Sequence, residues 1–267
     1  MAHELIMRTQ EGKILHLECH TSIPSTHELA RRYARAGYTD GFVVFAENQT
    51  ALSSLGEPLA DGRSEHGVYM SCILRPSIFP SQAGLFPAMS AVALITALEE
   101  HTTKRLGIGW VSDIFCEGKK IGKVQIEGKL DTFSAYEYII ITFAVRLDEA
   151  DFPPRISDLI KKVFGSENTS IPLIIAKNIL SKFFVMYPKR IKTPEKFMDT
   201  YKRKFIMTDL RTRYISEGKS RPCKILGVDV ADGKLIIETS SGEVRNISNI
   251  ASITLPSRIR LKKARRG

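Results

Sequence analysis

The sequence is poor in the features that mark an oxidising compartment, a membrane or a familiar catalytic centre. Only four of its 267 residues are cysteine. Cys19, Cys72, Cys116 and Cys223 lie far apart with no Cys-x-x-Cys pair, which argues against a zinc knuckle or a disulfide framework and for a reduced, cytoplasmic setting. No apolar run reaches the ~18 residues that span a bilayer, so no membrane role is expected. The start, MAHELIMRTQEGK, has no basic stretch leading into an apolar core, and no secretion signal is expected. There is no Gly-x-Ser-x-Gly, no P-loop and no His-Glu-x-x-His. His16 and His20 share one face of a strand pattern without a carboxylate cluster, so no metal site is expected.

What is present is an ordinary globular composition, 43% hydrophobic and 25% charged, with a net charge of +10. The last twelve residues, PSRIRLKKARRG, carry six basic groups and no acid; without them the charge falls from +10 to +4. The excess is therefore largely a property of the tail. A solvated terminus is the simpler reading; contact with nucleic acid or an acidic protein is the other.

Patterning divides the chain. KILHLEC (13–19) alternates as a strand. PSTHELARRYARAG then reads as a helix, with Ser25 or Thr26 as cap, Glu28 three residues after Ser25, and Gly37 at its end. GFVVFAE (41–47) and GVYMSCILR (67–75) are strands around a polar loop over 48–66. Leu85, Met89, Val92, Ile95 and Leu98 predict an amphipathic helix over about 84–100. LGIGW and DIFCEGKKIGKVQIEG read as short strands, with Gly118 in a hairpin, and YEYIIITFAVRL (136–147) as a central strand. Around 171–187, Lys177, Asn178, Ser181 and Lys182 form a polar stripe on an apolar helix; TPEKFMDTYKRKF follows with Thr193 as cap and Pro194 at the first helical position. Residues 223–255 hold two turn signals, Asp232-Gly233 and Ser241-Gly242, between alternating runs, the pattern of a small β meander of SH3-like size. The expected class is α+β: a mixed sheet with helices packed on it over 1–215, a small SH3-like β-barrel domain over 216–256, and a basic tail over 257–267.

Taken in order, the strand, capped helix, strand ending in Gln49, long loop, strand and helix lead to Trp110-x-x-Asp113 and a Gly118-Lys119-Lys120 turn. That order resembles the biotin protein ligases of the biotin and lipoate ligase superfamily, and GVDVADGKLIIETSSGEV resembles their C-terminal domain. The resemblance implies a biotin/lipoate ligase-like catalytic domain that joins biotin to the α-phosphate of ATP, taken with Mg2+. The biotinyl group then passes to a lysine of a carboxylase biotin carrier domain. Ser25, Thr26 and His27 look like the family's Ser-Thr-Asn, whose hydroxyls and helix-start amides face the ureido group; the third position departs. Gln49 matches the family's glutamine, and Trp110 and Asp113 are what is kept of its Lys-Trp-Pro-Asn-Asp. Lys120 matches the lysine that reaches both the biotin carboxylate and the phosphate, a cation between two anions that repel each other. The resemblance thus implies Lys120 and Asp113 as catalytic residues, with Asp113 receiving or orienting the incoming amine. It implies Ser25, Thr26, Gln49 and Trp110 as the biotin and adenylate contacts. A homodimer would fit the family, although no stretch of this chain specifies one. The ligase-like part begins almost at once, so the repressor role of some relatives is not expected.

Departures open a second reading. Where the family has Gly-Arg-Gly-Arg, this chain has Leu52-Ser53-Ser54-Leu55, with neither the glycines that let amides approach a ligand nor the arginines that meet pyrophosphate. Gly62-Arg63 would serve only if the loop were rewound. Arg146 stands in place of an asparagine, and Lys123 where a glycine is expected. The alternatives are a working ligase and a re-purposed member that binds a carrier domain or another acyl ligand without adenylation.

Overall fold

A computed structural model describes residues 2–51, 67–80, 83–147, 170–187, 194–256 and 258–259. Leu52–Leu55, the Gly62-Arg63 alternative, the Thr193 cap and the tail beyond 259 lie outside the described residues.

Eight strands form one sheet: β1 (His3–Arg8), β2 (Ile14–Ile23), β3 (Phe42–Gln49), β4 (Gly67–Leu74), β5 (Leu106–Gly109), β6 (Asp113–Cys116), β7 (Lys119–Leu130) and β8 (Tyr136–Arg146). Their order is β1-β2-β3-β4-β8-β7-β6-β5. Only β2 and β3 pair in parallel, because a helix, α1 (Thr26–Arg35), crosses between them; the other neighbours are antiparallel. The apolar β8 lies inside the sheet, as its composition predicts.

The two faces of the sheet differ. Phe45, Met70, Phe143 and Val124 are cross-strand neighbours on one face. They join a core with α2 (Phe86–Glu99), α3 (Ile171–Met186) and α4 (Glu195–Lys204). The amphipathic pattern expected for α2 is not what forms: eleven of its fourteen residues are buried. The sheet lies on one side and α3 and α4 on others, so an apolar stripe became an almost fully apolar surface. The polar stripe on α3 is real, with Lys182 and Asn178 both reaching Glu100 at 2.6 and 2.7 Å. α4 starts at Glu195, one residue after the expected Pro194. Among the described residues no helix is long and apolar enough to cross a membrane.

On the opposite face α1 packs Ala30 and Ala34 over Val44, Ile73, Tyr138 and Ile140. Ser25 caps it, accepting the Glu28 amide at 3.2 Å, and Gly37 closes it at φ +87°, donating to Ala34. The helix covers only part of this face. Beyond its N-terminus the sheet continues uncovered by any other helix among the described residues.

The second sheet has five antiparallel strands: β9 (Arg211–Ser216), β10 (Lys219–Val228), β11 (Leu235–Thr239), β12 (Val244–Ile247) and β13 (Ile253–Thr254). After a one-turn 3-10 helix (Ile250–Ser252), β13 returns to pair with β9, giving the order β12-β11-β10-β9-β13, consistent with an SH3-like barrel. Gly233 and Gly242 take positive φ in the two turns expected from the sequence. A third turn, Glu217-Gly218, joins β9 to β10, so this sheet begins at Arg211, ahead of the expected division at 216. Residues 258–259 then run back to the first sheet: Arg258 bridges to Lys119 and the Ile259 amide donates to the Gly118 carbonyl at 2.8 Å.

Candidate active site

The helix start is tied to the sheet by a continuous chain of hydrogen bonds. The Thr26 amide lies 2.6 Å from one terminal atom of Gln49, and a backbone N–H only donates, so that atom is the carboxamide oxygen. The Thr26 hydroxyl, 3.1 Å from the same oxygen, must also donate to it. It therefore accepts from Ser71 at 3.0 Å, and Ser71 accepts from Thr142 at 2.9 Å. Thr142 has then used its proton, so His27 Nδ1, 2.7 Å away, must donate to it. His27 Nε2 faces Glu127 at 2.8 Å. Arg31 grips the same carboxylate through Nε and Nη2 at 2.8 and 2.5 Å and holds the Glu127 carboxyl well below the usual range, at about 2. The His27 ring thus bridges Thr142 on β8 and Glu127 on β7. The histidine at this position, itself buried, ties the helix start to the sheet.

Register places a second group on the same face. Cross-strand partners point the same way. Ser71 pairs with Thr142, and Thr142 with Gln125. Two residues along each strand, Ala46, Tyr69, Ala144, Lys123 and Asp113 form the next row. A bulge between Ile114 and Phe115 turns Lys120 onto this face, where its ammonium meets Asp113 at 2.8 Å. Their side chains are 15% and 20% exposed. Glu117 and Gly118, both at positive φ, make the tight hairpin that brings Lys120 back. Of the residues singled out in the sequence, Thr26, Gln49, Asp113 and Lys120 therefore share one sheet face, and Ser25 caps the helix that ends over it.

Trp110 has a different place. It is 1% exposed, and its indole N–H donates at 2.9 Å to the carbonyl of Gly233, in the β10–β11 turn. This ring is a strut between the two sheets, where a wall for biotin was expected. The segment after it is pinned as well: Tyr201 donates to the Val111 carbonyl and Ser112 to that of Val124. Trp110→Phe, which drops the bond to Gly233, is expected to lower unfolding free energy by about 1–2 kcal/mol in urea titration.

The sequence reading missed Ser71, Thr142, Glu127 and Arg31. A signal was available for two of them: Ser71 and Thr142 are hydroxyls in otherwise apolar, fully buried stretches of strand. Among the described residues no group of three or more His, Cys, Asp or Glu side chains could hold a metal ion.

No family model matches the chain. The bifunctional ligase/repressor BirA of Bacillus subtilis is 26% identical over 235 residues, covering 85% of this chain and 70% of that protein. Its counterpart in Bacillus spizizenii matches to the same extent. Among solved structures, the biotin protein ligase of Aquifex aeolicus in complex with biotin and ATP superposes with a TM-score of 0.66 at 21% identity, over 89% of this chain and 97% of that one. A biotin protein ligase-like protein of unknown function from Silicibacter does so with a TM-score of 0.62 at 14% identity, over 91% and 97%. The fold is that of a biotin ligase catalytic domain followed by a small β domain. In sequence and fold the chain is similar to biotin protein ligases.

Proposed function

We propose that the chain activates biotin with ATP and passes the biotinyl group to a lysine of a carboxylase biotin carrier domain. The observation that carries this reading is the Lys120–Asp113 pair on the same sheet face as the Thr26–Gln49 helix start. With its oxygen committed to Thr26, Gln49 has only amide donors to offer, which suits a ureido carbonyl. In the first step a carboxylate oxygen of biotin attacks the α-phosphorus of ATP, supplied as its magnesium complex. The bond from that phosphorus to the bridging oxygen breaks, and pyrophosphate leaves with the electron pair. Lys120 draws the two anions together and offsets charge on the phosphate. In the second step the neutral carrier amine attacks the acyl carbon and AMP departs. Asp113 takes the proton from the amine. We take the part of the chain up to the second sheet as the ligase unit, with its end at 210 and not 215.

The substitution of leucine and serine at 52–55 favours a second reading, a member that binds an acyl ligand without adenylating it. Incubation with biotin, MgATP and a carrier domain separates the two. Pyrophosphate release with a biotinylated acceptor is expected; heat of biotin binding without pyrophosphate supports the second reading. Absence of both signals rejects biotin chemistry altogether.

A further inference from the structure

Asp113 stands at the first position of β6, straight after the three-residue connection from β5, Trp110-Val111-Ser112. A side chain that must accept a proton is only as well aimed as the main chain beneath it. Each residue of this connection is held, and from a different side. The Trp110 amide donates to the Met207 sulfur at 3.4 Å, and its indole N–H to the Gly233 carbonyl. Ser112 is tied to β7 twice. Its hydroxyl donates to the Val124 carbonyl at 2.7 Å, and its carbonyl accepts the Val124 amide at 3.0 Å. Between them, the Val111 carbonyl accepts from the Tyr201 hydroxyl of α4 at 2.8 Å.

Tyr201 makes that contact from inside the core. It is 0% exposed, and its ring lies beside that of Phe205, with centroids 6.1 Å apart. Burial, and then the charge of Asp113 nearby, push the phenol above its ordinary range, so the hydroxyl remains a donor at working pH. Packing alone needs no hydroxyl at such a position, and a buried one is costly unless it finds a partner. The chain beyond α4 runs on beside the same connection. Phe205 bridges to Ile108, the Ile206 amide donates to the Ile108 carbonyl at 3.0 Å, and a Cβ on Gly109 would come within 2.6 Å of Met207. α4 and the residues after it therefore brace the β5–β6 connection from the outer edge of the sheet, while β7 braces it from within.

Resting on the ligase reading above, we infer that Tyr201 is a positioning residue for the transfer step: through the Val111 carbonyl it sets where the Asp113 carboxylate stands when the carrier amine arrives. Lys120 holds that carboxylate at 2.8 Å. A ligand that brings two anions to Lys120 loosens this grip, and the main chain under Asp113 then keeps its aim. Tyr201 is buried behind the connection and acts through the peptide, two residues from Asp113.

The test is a double-mutant cycle on transfer from synthetic biotinyl adenylate to a carboxylase biotin carrier domain, with the full chain at pH 7. Supplying the adenylate takes the first step out of the measurement. Tyr201→Phe is expected to lower the maximal transfer rate about tenfold, while calorimetric affinity for the adenylate stays within about twofold. Asp113→Asn should lower the rate about a hundredfold. The double variant should match Asp113→Asn alone to within about twofold, because a tether that acts through a carboxylate does nothing once the carboxylate is gone. A tyrosine that served packing alone would multiply the two losses to about a thousandfold, and that result overturns the inference. So does a Tyr201→Phe that transfers like the wild type. So does one that unfolds in urea titration, which marks the hydroxyl as a folding bond. In each of these cases a wild type that transfers biotin leaves the ligase reading standing. A wild type that neither binds the adenylate nor transfers from it sinks the ligase reading and this inference with it.

Discussion

Replacing Lys120 by alanine is expected to cut pyrophosphate release from biotin and ATP by about 10²–10³-fold. The argument is geometric. The hairpin and the bulge at Ile114/Phe115 fix the ammonium on the site face, and Asp113 holds it there at 2.8 Å before any ligand arrives. A cation already in position costs nothing to reorganise when biotin carboxylate and phosphate approach each other. Lys120→Arg should recover little, because a longer planar fork cannot sit in the contact with Asp113 and present a point charge between two anions. The measurement is single-turnover release of pyrophosphate at saturating biotin. A rate within threefold of wild type would remove Lys120 from the mechanism. Unfolding free energy should change by less than the ~1 kcal/mol typical of a partly exposed ion pair, which separates a chemical defect from a folding one.

The second large effect concerns Glu127. The Arg31 guanidinium and the His27 ring converge on its carboxylate. Glu127→Gln leaves both facing a neutral amide and should lower unfolding free energy at pH 7 by about 2 kcal/mol, less than for a wholly buried pair because the carboxylate is 30% exposed. The direction with pH follows from its depressed folded value, about 2 against an ordinary 4.5. The unfolded chain takes up the proton first as pH falls. The stabilisation is therefore complete above about pH 4.5 and is lost as pH falls towards 2. Urea titrations of wild type and variant should converge over that window. Parallel curves across it would mean that the carboxylate does not carry the pair.

Local chemistry made much of the frame legible. Ser25 and Gly37 bound α1 because a cap and a positive-φ stop are written in neighbouring residues. Gly118, Gly233 and Gly242 mark three turns for the same reason. The all-round burial of α2 was not legible, since it depends on helices far along the chain that cover its outer side. Neither was the partnership of His27 with Glu127 and Thr142, which closes across about a hundred residues and leaves no periodic trace. The sequence singled out Trp110 correctly as unusual but could not tell a ligand wall from a strut, because its partner is a main-chain carbonyl with no side-chain signature. The site face itself was half visible: Lys120, Asp113 and Gln49 came from their order, whereas Lys123 reached that face only through its register with Ala144 and Asp113.

The return of residues 258–259 to the Gly118 hairpin has a bearing on the edge of the first sheet. Lys119 extends past the end of β8, so that stretch of β7 has an open edge until Arg258 and Ile259 arrive to lie along it. A second segment thus closes the edge of the hairpin from which Lys120 projects, so cutting the chain before 258 would bare that edge.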